Sequence, residues 1–377
     1  MQRVPVNEPK LDGNEKKYLM ECIDTGWISF EGPFVKRFEE GMAKLTNRKH
    51  GIAVSNGSVA IDTAILALQI GNGDEVIMPT FTIMSCAAAV VRIGAKPVFV
   101  DSDPITWNMN VDEIEGKITS KTKAIMVVHI YGLPVEMDKV LELAKKYNLL
   151  VIEDAAEMHG QTYKDKPCGS FGDISTFSFY PNKHITCGEG GMVTTNDAKL
   201  AARAQSLRNL CFIPEKRYVH EEIGYNFRMT NMQAAIGLAQ LERIEETVVK
   251  KRHIGKLYTR LLGNIEEIQL PLAKTDYAEN IYWVYGVILK DGLKVDADYI
   301  MQKLAEKGIG TRGFFWCMHE QPVFNKQGLY LDEHYPNAEK LARKGFYLPS
   351  GITLTDEQII YVGENLKEII EDIKNGI

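Results

Sequence analysis

The sequence is poor in features that tie a chain to an oxidising compartment, a membrane or a nucleic acid. Its six cysteines (Cys22, Cys86, Cys168, Cys187, Cys211 and Cys317) are widely scattered. No two stand at a metal-type spacing, and they read as reduced, mostly buried thiols. The eight histidines contain no i, i+4 doublet, so no metal site is expected. The most apolar segment, residues 81–91, is far shorter than the roughly 20 residues that span a bilayer. Residues 1–8 lack the apolar core of a secretory leader, so a cytoplasmic location without a membrane partner is expected. Positive charge is in deficit: 44 Lys and Arg stand against 50 Asp and Glu, for a net charge of −6. Such a chain has no general attraction for nucleic acid, although a local basic pocket for one phosphate is compatible with it.

What is present is the patterning of a soluble α/β protein. At 377 residues the chain exceeds one small core and fits a large domain plus a smaller one. Residues 51–54, 75–78, 97–100, 124–128 and 149–152 are short apolar runs that read as buried strands. Helical periods separate most of them, which predicts a mainly parallel sheet covered on both faces. Two further strands are expected at 173–179 and 191–195. Residues 231–262 are periodic and read as one or two long helices. A second, shorter α/β pattern follows: strand 283–289, helix 297–307, strand 309–315 and helix 355–374. The domain boundary is placed near 245, giving a large domain of residues 1–245 and a small α/β domain of 246–377.

Ligands of parallel sheets bind at the carboxyl ends of the strands, and three candidates lie there. Ser55-Asn56-Gly57-Ser58 passes from a strand into a helix. Its glycine permits close backbone approach, and free N–H groups at a helix start suit a phosphate. An ordinary helix cap explains the same residues. Asp154 ends the strand at 149–153, where it either caps a helix or holds the protonated nitrogen of a pyridine ring. Lys183 follows the strand 173–179 in a turn that runs into glycine-rich sequence, with Ser178 five residues before it. Such an amine can form a Schiff base with an aldehyde, or it can be one more solvated lysine. Together, in this chain order, the three compose a phosphate cradle, a pyridinium partner and a reactive lysine. The combination points to a pyridoxal 5′-phosphate enzyme of the aspartate-aminotransferase-like fold (fold type I).

Asp154-Ala155-Ala156-Glu157, the stretch 175–191 and the stretch 224–238 resemble the DegT/DnrJ/EryC1/StrS family of nucleotide-sugar aminotransferases. So do Leu11-Asp12-Gly13-Asn14-Glu15, Gly26-Trp27-Ile28-Ser29 and Arg312-Gly313-Phe314-Phe315 with His319. The resemblance covers essentially the whole chain. It implies transfer of an amino group from L-glutamate, by way of the pyridoxamine 5′-phosphate form of the cofactor, to C4 of a 4-keto-6-deoxy nucleotide sugar. A GDP-linked sugar is favoured, and amination at C3 or on a dTDP or UDP carrier is the alternative. Lys183 would be catalytic. Asp154 would pair with the ring nitrogen and Glu157 would sit near the ring hydroxyl. Gly57, Ser58 and Ser178 would hold the phosphate together with Asn226 of the partner subunit, which implies a homodimer with shared active sites. Trp27, Ser29, Arg312 and His319 would lie toward the sugar nucleotide.

Relatives that remove a hydroxyl carry histidine in place of the lysine, so Lys183 disfavours dehydration. A cofactor-binding regulator without activity is the alternative from another class, and the lack of a basic DNA-binding segment weighs against it. The chain departs from the family pattern in three places. Ile83 stands where an aromatic residue usually stacks on the cofactor ring. Pro181 and Trp316-Cys317-Met318 differ from the pattern of the members it most resembles.

Overall fold

The computed structural model describes residues 3–213, 216 and 218–376. The large sheet contains β1 (His50–Val54), β2 (Glu75–Pro79), β3 (Lys96–Val100), β4 (Thr122–Val128), β5 (Leu150–Asp154), β8 (Ile174–Ser178) and β9 (Gly191–Thr195), in the order β1-β9-β8-β5-β4-β2-β3. A small hairpin of β6 (Thr162–Tyr163) and β7 (Lys166–Pro167) interrupts the series. The pairs β8·β5, β5·β4, β4·β2 and β2·β3 are parallel, whereas β9 is antiparallel to both β1 and β8. Two reversals restore direction, so every strand but β9 ends at the same edge of the sheet. Val54, Pro79, Val128, Asp154 and Ser178 therefore deliver their following residues to one place.

Side chains alternate across a strand, and here both faces are buried. Val76, Met78, Ala124, Met126 and Val128 enter one core with α3 (Gly57–Ala67), α4 (Met84–Arg92) and α6 (Ala198–Arg208). Ile77, Ile125 and Val127 enter the other, with α1 (Glu15–Thr25), α2 (Pro33–Leu45), α5 (Met137–Tyr147) and α7 (Asn231–Leu241). This double burial explains why the strands read as unbroken apolar runs. No helix among the described residues is long and apolar enough to cross a membrane.

The expected helical stretch 231–262 is two helices, α7 and α8 (Ile244–Leu262). The break is held by tertiary bonds, with Glu242 accepting from Asn14 and Tyr18 and Arg243 paired with Asp12. Beyond it lies a second, antiparallel sheet in the order β10-β11-β13-β12, formed by β10 (Ile268–Gln269), β11 (Tyr285–Leu289), β12 (Arg312–Gly313) and β13 (Gly345–Leu348). α8, α9 (Ala297–Glu306) and α12 (Asp356–Lys374) pack on it, and α12 begins at a Thr355/Gln358 capping box. The short α10 (Pro322–Asn325) and α11 (Pro336–Lys344) complete the chain.

Two local expectations need correction. The strand expected at 309–315 pairs only over Arg312–Gly313, because Ile309 bridges to Val4 and the chain then turns toward the large sheet. Val4 thereby joins the core of the second sheet, although the sequence reading grouped it with residues 1–245. No helix follows Asp154. Its carboxylate accepts from the Ala156 N–H (3.1 Å) in a turn.

Candidate active site

The shared strand edge opens into a cavity of about 920 Å³. Gly57 and Ser58 begin α3 at its rim, where the Asn56 side chain accepts from the Val59 N–H (3.0 Å) and fixes the helix start. A Cβ on Gly57 would lie 2.6 Å from Ser178 Cβ, so only glycine lets the helix start approach the end of β8. The result is a concave patch of backbone N–H groups and serine hydroxyls, with the Ser58 and Ser85 hydroxyls 2.6 Å apart. Ile83, the residue before α4, is 45% exposed and also lines the cavity.

Lys183 sits in a turn closed by its own N–H on the Tyr180 carbonyl (2.9 Å). Asn7 donates to the Pro181 carbonyl and the Trp283 indole to the Asn182 carbonyl, so the turn is clamped from two sides. Gly188, at φ +79°, lets the segment return to β9. The Lys183 Nζ lies 3.5 Å from Glu157 Oε1 and 3.5 Å from the centre of the Trp283 ring. Asp154 lies on the cavity floor and accepts from the Cys86 thiol (3.4 Å).

Burial dominates the electrostatics. It lowers the pKa of Lys183 from the usual lysine range, against the pull of Glu157 and Asp154. It pushes Glu157 up to about 7, against the Lys183 charge and the Tyr131 N–H (2.7 Å). It also raises Asp154. Burial thus draws the affinities of an amine and two carboxyls for protons toward one another. Beside them, His129 is fully buried and tied at both nitrogens, accepting from the Val135 N–H (3.0 Å) and donating to Glu153 (3.1 Å).

The structure brings Gly57, Ser58, Ile83, Asp154, Glu157, Ser178, Lys183 and Arg312 to this cavity. It leaves Trp27, Ser29, Asn226 and His319 outside its lining. Trp27 is half exposed, its carbonyl accepting from Asn231 (2.6 Å). Ser29 lies in a separate surface cleft with Phe30 and Arg228. Asn226 is exposed and bridges Asn209. His319 is buried, its ring bonded to Thr80 (2.8 Å) and Glu339 (3.2 Å).

Trp283, Tyr131 and His129 also line the cavity and were not singled out from sequence. For His129 and Tyr131 a signal existed. His129-Ile130-Tyr131-Gly132 follows a strand end, and Gly132 takes a positive φ where a Cβ would meet the Tyr282 N at 2.6 Å. Trp283 gave no local sign, because its place beside Lys183 depends on how the second sheet docks.

The donor set fits pyridoxal 5′-phosphate. An anion cradle needs glycine where Gly57 stands, a buried carboxylate suits a protonated ring nitrogen, and a buried amine with lowered pKa suits an aldehyde. Fold and site together define a fold type I pyridoxal-phosphate-dependent enzyme. The model of the DegT/DnrJ/EryC1/StrS aminotransferase family matches residues 9–367, and the chain belongs to that family. It is 43% identical to a GDP-perosamine synthase of Escherichia coli O157:H7, over 99% of this chain and 100% of the relative. It is also 43% identical to a GDP-perosamine synthase of Caulobacter vibrioides, over 98% and 99% of the two chains. Spr1654 of Streptococcus pneumoniae, solved in PLP and PMP forms, superimposes with a TM-score of 0.92 at 25% identity. Each comparison covers 99% of this chain and 99% (PMP form) or 100% (PLP form) of that one. The protein is a pyridoxal-phosphate-dependent aminotransferase.

Proposed function

We propose that the protein moves an amino group from L-glutamate to C4 of a 4-keto-6-deoxy sugar on a nucleotide, converting GDP-4-keto-6-deoxy-D-mannose to GDP-perosamine for surface polysaccharide. The observation that carries the reaction is the gathering of buried Glu157 and Asp154 and the nearly buried Lys183, its side chain 10% exposed, around one cavity at the ends of parallel strands. The likeness to perosamine synthases over nearly the whole chain supports the choice of sugar.

In this reading Gly57, Ser58 and Ser178 hold the cofactor's phosphate, joined by Asn226 of the partner subunit. Asp154 holds the protonated ring nitrogen, Glu157 the ring hydroxyl, and Ile83 packs on the ring. When bound, pyridoxal 5′-phosphate supplies an aldehyde carbon that takes up the amino group and a cationic ring that draws electron density from the adjacent C–H bond. Lys183 Nζ would carry the proton between the substrate carbon and the cofactor's former aldehyde carbon, in one direction for glutamate and in the other for the sugar, a role that burial favours by weakening its hold on protons. Tyr131, Trp283 and Phe315 wall the site against water. Arg312, exposed at the cavity mouth, is available to the substrate's diphosphate. His319, Trp27 and Ser29 lie toward the sugar nucleotide in this reading, Trp27 and Ser29 from the subunit boundary. Residues 1–245 then carry the cofactor and 246–377 close the site with Trp283 and Arg312.

A homodimer completes this arrangement. Met20 and Ile23 of α1, and Trp27 and Ile28 just past its end at Gly26, are each 45–59% exposed. Exposed apolar residues so close in sequence suit a second copy of the chain. The enzymatic reading is tested by incubating the protein with glutamate and a panel of GDP-, dTDP- and UDP-linked keto sugars, with mass spectrometry of the products. Amination of the GDP-linked 4-keto sugar is expected. Turnover of 3-keto sugars alone would sink the assignment to C4.

A further inference from the structure

Trp283 is 4% exposed and comes from the segment that leads into the second sheet, yet its ring centre lies 3.5 Å from Lys183 Nζ. Three contacts fix that ring. The indole N–H donates to the Asn182 carbonyl at 2.8 Å, inside the turn that carries Lys183. The Trp283 carbonyl accepts from Lys251 Nζ at 2.8 Å, and the same ammonium donates to the Ser350 carbonyl at 2.6 Å. The ring also packs on Tyr131, with centroids 5.9 Å apart. Lysine turn and indole are thus held as one unit.

We propose that the indole face of Trp283 is the resting place of the Lys183 amine whenever that amine is free, and that it sets the pH at which the amine becomes a base. Indole is the strongest of the neutral side-chain rings at holding a cation, and its effect grows where water is excluded. The charged and titratable neighbours of Lys183 are Glu157 at 3.5 Å, Asp154, His159, His184 and Lys251. The two carboxylates favour the ammonium, Lys251 opposes it when charged, and burial keeps both histidines uncharged. Trp283 adds a contribution that does not itself titrate, so it steadies Lys183 while Glu157 gains or loses its proton. The inference rests on the cofactor reading given above.

Capture of pyridoxal 5′-phosphate needs the unprotonated amine, so the rate at which its visible band appears reports that protonation without turnover. The measurement uses full-length protein freed of cofactor, and the reagent's own titration is common to all variants. The midpoint of the rate–pH profile is expected to fall by about one pH unit in Trp283→Leu and by less in Trp283→Phe. Replacing tryptophan with a fluorinated analogue, which weakens the ring face at nearly unchanged volume, should shift the midpoint the same way and serves if the leucine variant does not fold. An unchanged midpoint in the fluorinated protein, or an upward shift in Trp283→Phe, overturns the inference. No band in the unmodified protein would instead overturn the cofactor reading beneath it. Lys183→Ala, expected to stay colourless, separates the two failures.

Discussion

Titratable side chains at the cavity and in the core behind it are withdrawn from the water that would stabilise their charged forms, with opposite consequences for acids and bases. His159 is pushed down to about 3, by burial first and then by the Lys183 charge. An unfolded histidine takes up its proton near about 6.5, so this group's contribution to stability is full above that pH and lost as pH falls toward about 3. His159→Leu should therefore unfold in acid at a lower pH than the unmodified protein, followed by circular dichroism. A midpoint at equal or higher pH would count against this account. Glu157 behaves in the opposite sense, because burial raises it to about 7. Its contribution is full below the unfolded value of about 4.3 and is lost as pH rises through about 7. In cofactor-free protein, the melting temperature of Glu157→Gln relative to the unmodified chain should climb between about pH 5 and pH 8.

Ile83 poses a different question at the same scale. It lines the cavity as an aliphatic group, 45% exposed, without the stacking of an aromatic ring. Ile83→Phe is expected to tighten cofactor binding by roughly 0.5–1.5 kcal/mol, a factor of about 2 to 10, measured by spectrophotometric titration. Weaker binding would mean that Ile83 does not lie against the ring.

At the scale of elements, the site depends on a close approach between the start of α3, the end of β8 and the start of β9. A Cβ on Gly191 would fall 2.3 Å from the Asn56 carbonyl, which is backbone and cannot step aside. Gly191→Ala should cost about 1–3 kcal/mol, visible as a lower urea midpoint at unchanged slope. The strands of the large sheet were legible in the sequence for a related reason. Burial on both faces demands apolar side chains at every position of Ala124 to Val128, and such runs are easily seen. The stretch 309–315, with Thr311, Arg312 and two glycines among its apolar residues, pairs over two residues only, and Val4, some 300 positions away, takes the place of a strand partner at Ile309. Short β13 escaped notice because four residues carry too little periodicity to separate strand from helix.

At the scale of the whole molecule, the proposed dimer makes α1 part of the active site. Glutamate at Trp27 or Ile28 should weaken self-association and, with it, cofactor affinity, because Asn226 would no longer reach the neighbouring phosphate site. Sedimentation velocity and spectrophotometric titration on the same samples check both effects. Loss of the dimer with undiminished cofactor affinity would separate the two.

Chemistry carried by chain-local patterns was readable without coordinates. A strand end followed by Asn56-Gly57-Ser58, by Asp154 or by the Lys183 turn announces its place at the cavity through local geometry, since parallel strands send their carboxyl ends to one edge. That Trp283 would lie against Lys183, that His319 would turn its ring toward Thr80 and Glu339, and that Trp27 and Asn226 would face outward were decided only by the packing of the second sheet and α1 against the first. The Trp283–Lys183 and His319–Thr80 contacts join residues 100 and 239 positions apart. No local periodicity encodes them, because they follow from which surfaces bury each other.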